Sequence, residues 1–167
     1  MASTRVFSSV SSLHNVEVVG IFADYEAFLN NDECREIFRL AGNIYHGQLD
    51  SVHKNGHFRS GSVVIAKCLI ERTWPFETVS FICDDLAKPF TIEELVRMML
   101  TKVSEQGYKS IALQVPRTDM PGQFPVPDLV AQFASALSRA KFEFPQLDIS
   151  IVCCNESIFP HVEAFFT

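Results

Sequence analysis

Short apolar runs alternate along this chain with segments of helical periodicity. Near-continuous apolar runs are typical of strands that are buried on both faces of a sheet. They occur at residues 16–22, 61–69, 79–83, 110–115 and 149–154, with a shorter candidate strand at 5–10. The sequence therefore predicts up to six strands.

Helical patterns lie between these runs. Residues 32–41 place Ile37, Phe38 and Ala41 on one face, and Gly42 follows as a stop signal. Thr91 and Glu94 have the spacing of a capping box at the start of a helix that Gly107 ends. Residues 128–142 and 158–166 are the remaining predicted helices.

Strands that alternate with helices predict an α/β fold whose sheet is mixed or parallel, with helices on both faces. The length of 167 residues fits one domain. We expect residues 16–167 to form that single domain. Residues 1–15 are expected to be an N-terminal segment that holds the first strand and is partly disordered.

Composition narrows the function classes. The net charge of −6 argues against a general binder of nucleic-acid backbones, although Lys54, His57, Arg59 and Arg72 could form a local basic patch. The five cysteines are odd in number and lack zinc or CxxC spacing, so we expect reduced thiols and a cytoplasmic or nuclear protein. No leader with an apolar core is visible, and no run is long enough to span a membrane.

The stretch KSIALQVPRTDMPGQFP, residues 109–125, is the most informative one for a ligand site. A buried strand leads directly into a loop and then a helix, and ligands of open α/β sheets bind beyond the carboxyl ends of such strands. The loop contains only Gly122, whereas loops that cradle phosphates usually contain several glycines.

Three blocks of the sequence resemble the macrodomains, a family that binds ADP-ribose. They are residues 35–66, the block from VSFICDD through TIEELVRMMLTKVSEQGYKSIAL, and the tail ISIVCCNESIFPHVEAFF. The resemblance covers most of the chain from about Val16 onward. It implies a three-layer α/β/α fold with a mixed central sheet, and a second helix after Gly42.

The resemblance also assigns positions to the ligand. Ser9 and Val10 take the place of the turn that holds adenine, and Ser9 lacks the family's carboxylate. Phe22, Ala23 and Asp24 take the place of an Asn-rich loop at the distal ribose. The following family glycines are replaced by a segment that includes Phe28, Asn30, Asn31 and Asp32.

The remaining ligand positions follow the strand at residues 110–115. The phosphate loop corresponds to Thr118, Asp119, Gly122, Gln123 and Phe124, and the aromatic residue that stacks on adenine corresponds to Cys154. Each lost charged or bidentate contact costs roughly 1–3 kcal/mol of binding free energy. A pocket plugged by Phe22, Phe28 or Phe124 would agree with loss of the ligand.

These departures lead to a functional hypothesis of a macrodomain-like recognition module with a degenerate ADP-ribose pocket and no catalytic residue, metal or cofactor. Its partner would be a protein, an RNA or a modified ligand, with nucleic acid the least favoured and no membrane involved. The alternative is a protein that binds ADP-ribose or an ADP-ribosylated protein, or a mono-ADP-ribosyl hydrolase with divergent loops.

Four other motifs have simpler interpretations, which we favour. His53 and His57 have metal-ligand spacing if one helix holds both, but Gly56 interrupts them. The Cys153–Cys154 pair is expected to pack in the core, and Asp84–Asp85 to form a polar loop. Trp74 and Phe76 are expected in a packed turn rather than a lid.

Overall fold

The structure, a computed structural model, describes residues 4–24, 31–118 and 122–166. Six strands and five helices follow one another within these ranges. In chain order they are β1 (Val6–Phe7), β2 (Val18–Ala23), α1 (Asp32–Ala41), α2 (Ile44–Lys54), β3 (Val63–Lys67), β4 (Thr78–Cys83), α3 (Ile92–Glu105), β5 (Ser110–Gln114), α4 (Val126–Glu143), β6 (Asp148–Val152) and α5 (Phe159–Phe166).

The strands form one mixed sheet in the order β1-β6-β5-β2-β4-β3. All neighbouring pairs are parallel except β3 and β4, which are antiparallel. The carboxyl ends of five strands therefore meet at one edge of the sheet. The expected mixed sheet and the three-layer α/β/α architecture are confirmed.

Two hydrophobic cores lie on opposite faces of the sheet. Alternation along β2 sends Val18 and Phe22 towards α3 and α4, and Val19 and Ile21 towards α1 and α2. Both faces of the central strands are covered, which explains why the sequence shows continuous apolar runs there instead of alternation. Within the described ranges, no helix has the length and apolar character needed to cross a membrane.

The helix boundaries follow local signals. Asn31 accepts a hydrogen bond from the Cys34 N–H at 2.9 Å and caps α1, which spans the expected residues. The predicted capping box of Thr91 and Glu94 is present at α3. The second helix that the family resemblance implies is α2. The first strand is shorter than expected, because only two residues pair with β6.

Gly20 lies in the stretch of β2 that pairs with β5, opposite Leu113. A Cβ atom at this position would come within 2.7 Å of Leu113 Cδ2 and 3.1 Å of Ile111 Cδ1, whereas one at Gly122 would meet nothing within 4 Å. Leu113 and Ile111 are fully buried, so these side chains have little room to move.

We therefore expect Gly20→Ala to destabilise the fold by about 1–3 kcal/mol through overpacking. The matched substitution Gly122→Ala should change the free energy of unfolding by less than about 0.5 kcal/mol. Urea denaturation of both variants measures the difference. Equal effects of the two substitutions would contradict the close packing at Gly20.

Candidate ligand-binding edge of the sheet

The candidate site lies between the carboxyl ends of β2 and β5. The chain leaves β2 towards α1 on one face of the sheet and leaves β5 towards α4 on the other, so this is a switch point of the topology. The two strands pair only from Val18–Ile111 to Gly20–Leu113 and then separate. Ligands of α/β sheets bind in such a crevice.

Side chains of this chain fill the base of that crevice. The Phe22 N–H donates to Gln114 Oε1 at 2.9 Å, in the place of a backbone partner on β5. Gln114 Nε2 donates to Glu33 Oε1 at 2.7 Å, and the Cys154 N–H donates to Glu33 Oε2 at 2.6 Å. One buried carboxylate thus links the start of α1 to the ends of β2, β5 and β6.

Glu33 is only 3% exposed. Burial is the largest influence on its pKa and raises it above the ordinary value of 4.5, while the hydrogen bonds from Gln114 and Cys154 oppose that rise. A carboxyl group at this place makes the crevice unfavourable for a second anion when it is ionised.

The start of α1 adds further negative charge. Asp32 forms an ion pair with Arg35, and the Asn31 side chain occupies the Cys34 N–H. A free helix N-terminus binds anions through its unpaired N–H groups. Here Asp32 and Glu33 already provide that negative charge from within the helix.

The adenine positions inferred from the family resemblance come together next to α1. Ser9 lies in a tight turn, in which its Oγ accepts from the Ser12 N–H at 3.1 Å. Val10 is fully buried, and Cys154 lies between this turn and the acidic residues of α1. Burial first, and then Glu33 and Glu36, raise the pKa of the Cys154 thiol, so it stays protonated.

The distal-ribose positions at the end of β2 are mostly internal. Phe22 is 7% exposed and belongs to the core under α3 and α4, and Ala23 belongs to the opposite core. The Ala23 carbonyl accepts from the Asp84 N–H at 2.7 Å. Asp24 is exposed, and Asn31 serves as the cap of α1. Phe28 and Asn30 lie outside the described residues.

The most prominent charged contact joins the loops after β4 and β5. Arg117 Nε donates to Asp84 Oδ2 at 2.8 Å, and its Nη2 donates to Asp84 Oδ1 and the Phe90 carbonyl, each at 2.9 Å. The two side chains are 8% and 7% exposed. Arg117 has a φ of 62°, a left-handed conformation that this bidentate contact helps to hold.

Phe124 covers this pair from outside, with Arg117 Cζ 5.1 Å from its ring centroid. Thr118 directly follows Arg117, and Gly122 and Gln123 are exposed before Phe124. Asp119 lies outside the described residues, so its predicted place in the phosphate loop stays a prediction.

The simpler interpretations of the histidine, tryptophan and cysteine motifs agree with the geometry, whereas Asp84 is buried in its ion pair with Arg117. Helix α2 ends at Lys54, so His53 and His57 do not share a helix face, and the described residues hold no cluster of ligands for a metal. Trp74 Nε1 donates to Tyr45 Oη at 2.8 Å, which fixes a packed turn. All five cysteines are free, and burial raises the pKa of Cys153 to about 12.

The described ranges define a three-layer α/β/α protein with a crevice at its central switch point. Compared as a sequence, the chain matches no protein-family model and no curated protein. Compared as a structure, it is similar to macrodomains over nearly its whole length.

A mutant of the Oceanobacillus iheyensis macrodomain has a TM-score of 0.77 and 13% identity, over 98% of this chain and 95% of that one. The Trypanosoma brucei macrodomain in complex with ADP-ribose has a TM-score of 0.74 and 14% identity, over 97% and 68%. The macrodomain of Mycobacterium tuberculosis DarG has a TM-score of 0.68 and 12% identity, over 90% and 98%. The chain thus has the macrodomain fold.

Sequence reasoning missed the two buried polar clusters. The sequence did contain a signal for the burial of Glu33. This residue lies four positions before Ile37 and eight before Ala41, on the apolar stripe of α1. Asp84 was noted as a strand-end residue, but its partner was not. The strand order places β2 between β4 and β5, and only this order shows that Arg117 reaches across.

Asp84→Ala should destabilise the fold by about 3–5 kcal/mol, because it leaves the Arg117 charge buried without its partner. The side chain of the neighbouring Asp85 accepts a turn hydrogen bond from the Ala87 N–H. Asp85→Ala should therefore cost about 0.5–1.5 kcal/mol. Urea denaturation compares them, and equal losses would contradict a structural role specific to the ion pair.

The raised pKa of Glu33 also predicts a pH dependence of stability. Between 4.5 and its folded pKa, Glu33 binds more protons in the folded state than in the unfolded state. Stability from this group is therefore gained as the pH falls through the folded pKa and lost as the pH rises. The test is to measure the free energy of unfolding of the wild type and of Glu33→Gln by urea denaturation at several values from about pH 8 to about pH 5.

We expect wild type to gain stability relative to Glu33→Gln as the pH is lowered. The exposed Glu156→Gln variant is the matched control and should keep the wild-type profile. A constant difference between wild type and Glu33→Gln across this range would rule out a protonation change at Glu33.

Proposed function

We propose that this chain is a non-catalytic recognition module built on the macrodomain fold, with a degenerate ADP-ribose pocket. The observation that supports this most is the Glu33–Gln114 pair in the crevice between β2 and β5. It lies in the crevice where ligands of open α/β sheets bind, and its buried polar groups already have hydrogen-bond partners within the protein.

An anionic diphosphate needs several convergent N–H donors. In the described part of the crevice, the N–H groups of Phe22, Cys34 and Cys154 already donate to Gln114, Asn31 and Glu33. A diphosphate would have to displace these contacts and approach the carboxylate of Glu33. Each displaced bond to a charged group costs roughly 1.5–3 kcal/mol, and each ~1.4 kcal/mol weakens binding tenfold.

The same region offers little for catalysis. A general base must reach the reacting group or its water with an available carboxylate or imidazole. Glu33 accepts two hydrogen bonds, and Asp84 is held in a bidentate ion pair with Arg117. Both Asp84 oxygens already accept hydrogen bonds from Arg117, so neither is available to a reacting group or its water.

One observation favours the alternative function. The Trypanosoma brucei macrodomain was solved in complexes with ADP and with ADP-ribose, and it shares this fold. If this chain binds ADP-ribose or hydrolyses a mono-ADP-ribosyl group, then Asp24, Asn30, Asn31 and Asp32 are the polar residues near the distal ribose. Asp24→Ala would then weaken binding or abolish hydrolysis.

A protein partner fits the charge of the module better than RNA does. The net charge is −6, and the candidate basic residues are partly engaged. Lys54 pairs with Asp50 at 2.8 Å, and Arg59 Nε donates to the Gly56 carbonyl at 3.2 Å. Binding to nucleic-acid phosphates needs several unpaired cations on one surface.

Calorimetric titration with ADP-ribose tests the proposal. We expect no heat of binding up to about 1 mM ligand, since loss of about 4 kcal/mol turns a micromolar site into a millimolar one. The Trypanosoma brucei macrodomain is the positive control under the same conditions. No release of ADP-ribose from a mono-ADP-ribosylated protein is expected either.

Micromolar binding of ADP-ribose would overturn the degenerate pocket and establish the alternative. Binding without hydrolysis would leave a non-catalytic reader of ADP-ribose. Hydrolysis that is lost in Asp24→Ala, but kept in the exposed surface variant Glu156→Ala, would assign catalysis to the end of β2.

A further inference from the structure

The strand β3 forms an edge of the sheet that is open to a further strand. The opposite edge is β1, which pairs over only two residues and therefore offers little to a neighbour. β3 has five residues, Val63–Lys67, and it pairs with β4 on one side only. Its first three residues are apolar and β-branched, and no proline interrupts the strand.

The hydrogen bonds around β3 show which of its backbone groups face β4. The Ser62 carbonyl accepts from the Cys83 N–H at 2.9 Å, and the Cys68 N–H donates to the Glu77 carbonyl at 3.1 Å. In an antiparallel pair, residues that bond to the partner strand alternate with residues that face away from it. Even-numbered residues of β3 therefore bond to β4, and its odd-numbered residues direct their N–H and C=O groups outwards.

Of the three outward residues, Lys67 alone has a partner in the described part of the chain. The Gln48 side chain bonds to it as a neighbouring strand would, since Nε2 donates to the Lys67 carbonyl at 2.8 Å and Oε1 accepts from its N–H at 3.1 Å. The outward N–H and carbonyl groups of Val63 and Ile65 have no hydrogen-bond partner among the described residues. β3 can therefore form four more backbone hydrogen bonds with an added strand.

An open groove of about 390 Å³ lies beside this edge, between β3 and α3. Val63 lines it from the strand, and Met98 and Thr101 line it from the helix. Val63 and Ile65 direct their side chains to this face of the sheet. A residue of an added strand that bonds to either of them directs its own side chain to the same face, because residues directly opposite each other share a face. The groove can thus receive the side chains of alternate residues of an extended segment.

The helices next to β3 leave room for a single strand and not for a second copy of the chain. α2 packs mainly on β3, on the face opposite to α3. In an edge-to-edge pair of two copies, the two β3 strands would lie about 4.8 Å apart. The α2 helices above them would be about equally close, whereas packed helices need about 8–10 Å between their axes. An extended segment brings no helix and avoids this clash.

Cations surround this edge, although the chain as a whole has a net charge of −6. Arg59 lies in the turn before β3, Lys67 ends the strand, and Lys102 lines the groove. None of the three forms an ion pair with a described residue, and Glu105 is the one carboxylate in the described wall of the groove. Acidic residues of a partner are therefore attracted to this edge. The free backbone groups and the apolar groove fit a peptide, whereas a nucleic acid would use the cations alone.

We propose that the outer edge of β3 binds an extended segment of a partner protein by strand addition. The segment carries apolar residues at alternate positions, which enter the groove, small residues between them, which face α2, and acidic residues at its ends. This inference deepens the proposed function and rests on it, because it names the kind of protein segment that the recognition module binds. ADP-ribose titration judges the crevice between β2 and β5, whereas peptide binding judges the edge of β3.

Four synthetic peptides with blocked ends test the recognition by NMR titration of the labelled protein. The glutamate peptide is Glu-Val-Thr-Val-Thr-Val-Glu, and the lysine peptide has lysine in place of both glutamates. A third peptide is the glutamate peptide with N-methyl groups on its valine amides, which removes the donors for the Val63 and Ile65 carbonyls. We expect the glutamate peptide to bind at least about tenfold more tightly than either of these two, which corresponds to ~1.4 kcal/mol. The fourth peptide carries the N-methyl groups on its threonine amides, which face away from β3, and should bind like the glutamate peptide.

Hydrogen exchange locates the bound peptide. The outward amides of Val63 and Ile65 should exchange rapidly in the free protein, because they are not hydrogen-bonded. Saturation with the glutamate peptide should slow both of them at least about tenfold. The Lys67 amide is already bonded to Gln48 and is the internal reference, whose exchange should change little.

Two pairs of variants test the groove and the charge. Thr101→Trp fills the groove from the exposed face of α3 and should weaken binding of the glutamate peptide at least about tenfold. Ser138→Trp adds the same side chain at an exposed position of α4 and should leave binding unchanged. Lys102→Glu should weaken the glutamate peptide and strengthen the lysine peptide. Lys141→Glu on α4 changes the net charge equally and should alter neither.

The proposal is overturned if the glutamate peptide does not bind at about 2 mM, or if the lysine peptide or the valine-methylated peptide binds equally well. It is also overturned if binding survives both Thr101→Trp and Lys102→Glu, or if single-stranded RNA binds more tightly than the glutamate peptide. A dimer that Ile65→Pro abolishes would assign the edge to a second copy instead. Loss in Thr101→Trp with full binding in Ser138→Trp, together with slowed exchange at Val63 and Ile65, supports the edge of β3 as the site. Failure of peptide binding leaves the result of the ADP-ribose titration unchanged, so the two proposals fail separately.

Discussion

The buried carboxylate of Glu33 is the contact on which the carboxyl edge of this molecule depends. It accepts from Gln114 on β5 and from the Cys154 N–H after β6, and through Gln114 it is joined to the end of β2. Where β2 and β5 separate, backbone groups lose their usual partners, and an unpaired buried group is costly. The Gln114 amide replaces the missing backbone partner, and Glu33 satisfies the amide in turn.

In our proposal, the same contacts limit what the crevice can bind. A site for an anion keeps N–H groups unpaired until the ligand arrives. Here the N–H groups of Phe22, Cys34 and Cys154 already have partners within the protein. The Arg117–Asp84 pair also stabilises this edge of the sheet. It connects the loop after β5 to the loop after β4. Both clusters stabilise the switch point of the sheet with polar contacts.

Local sequence signals predicted most of the fold because they depend on near neighbours. The apolar runs gave the strands, and the Thr91 capping box gave the start of α3. The bounds of α1 agreed with the prediction from its apolar face and from Gly42 as the stop signal, and the structure adds that Asn31 caps its start. The length of β1 was not predicted correctly, because the end of this strand depends on how far its pairing with β6 continues. The interruption of a helical face at Gly56, which separates His53 from His57, agreed with the structure, since α2 ends at Lys54.

The sequence by itself determined the alternation of strands and helices, the two-faced burial of the central strands and the scarcity of glycines in the loops after β2 and β5. Those properties reside in composition and in spacing along the chain. Only the tertiary structure decided that Glu33 meets Gln114 and that Arg117 meets Asp84. The paired residues are 81 and 33 positions apart in the chain. Their contact depends on strand order and on where β2 separates from β5, which no local pattern of residues encodes.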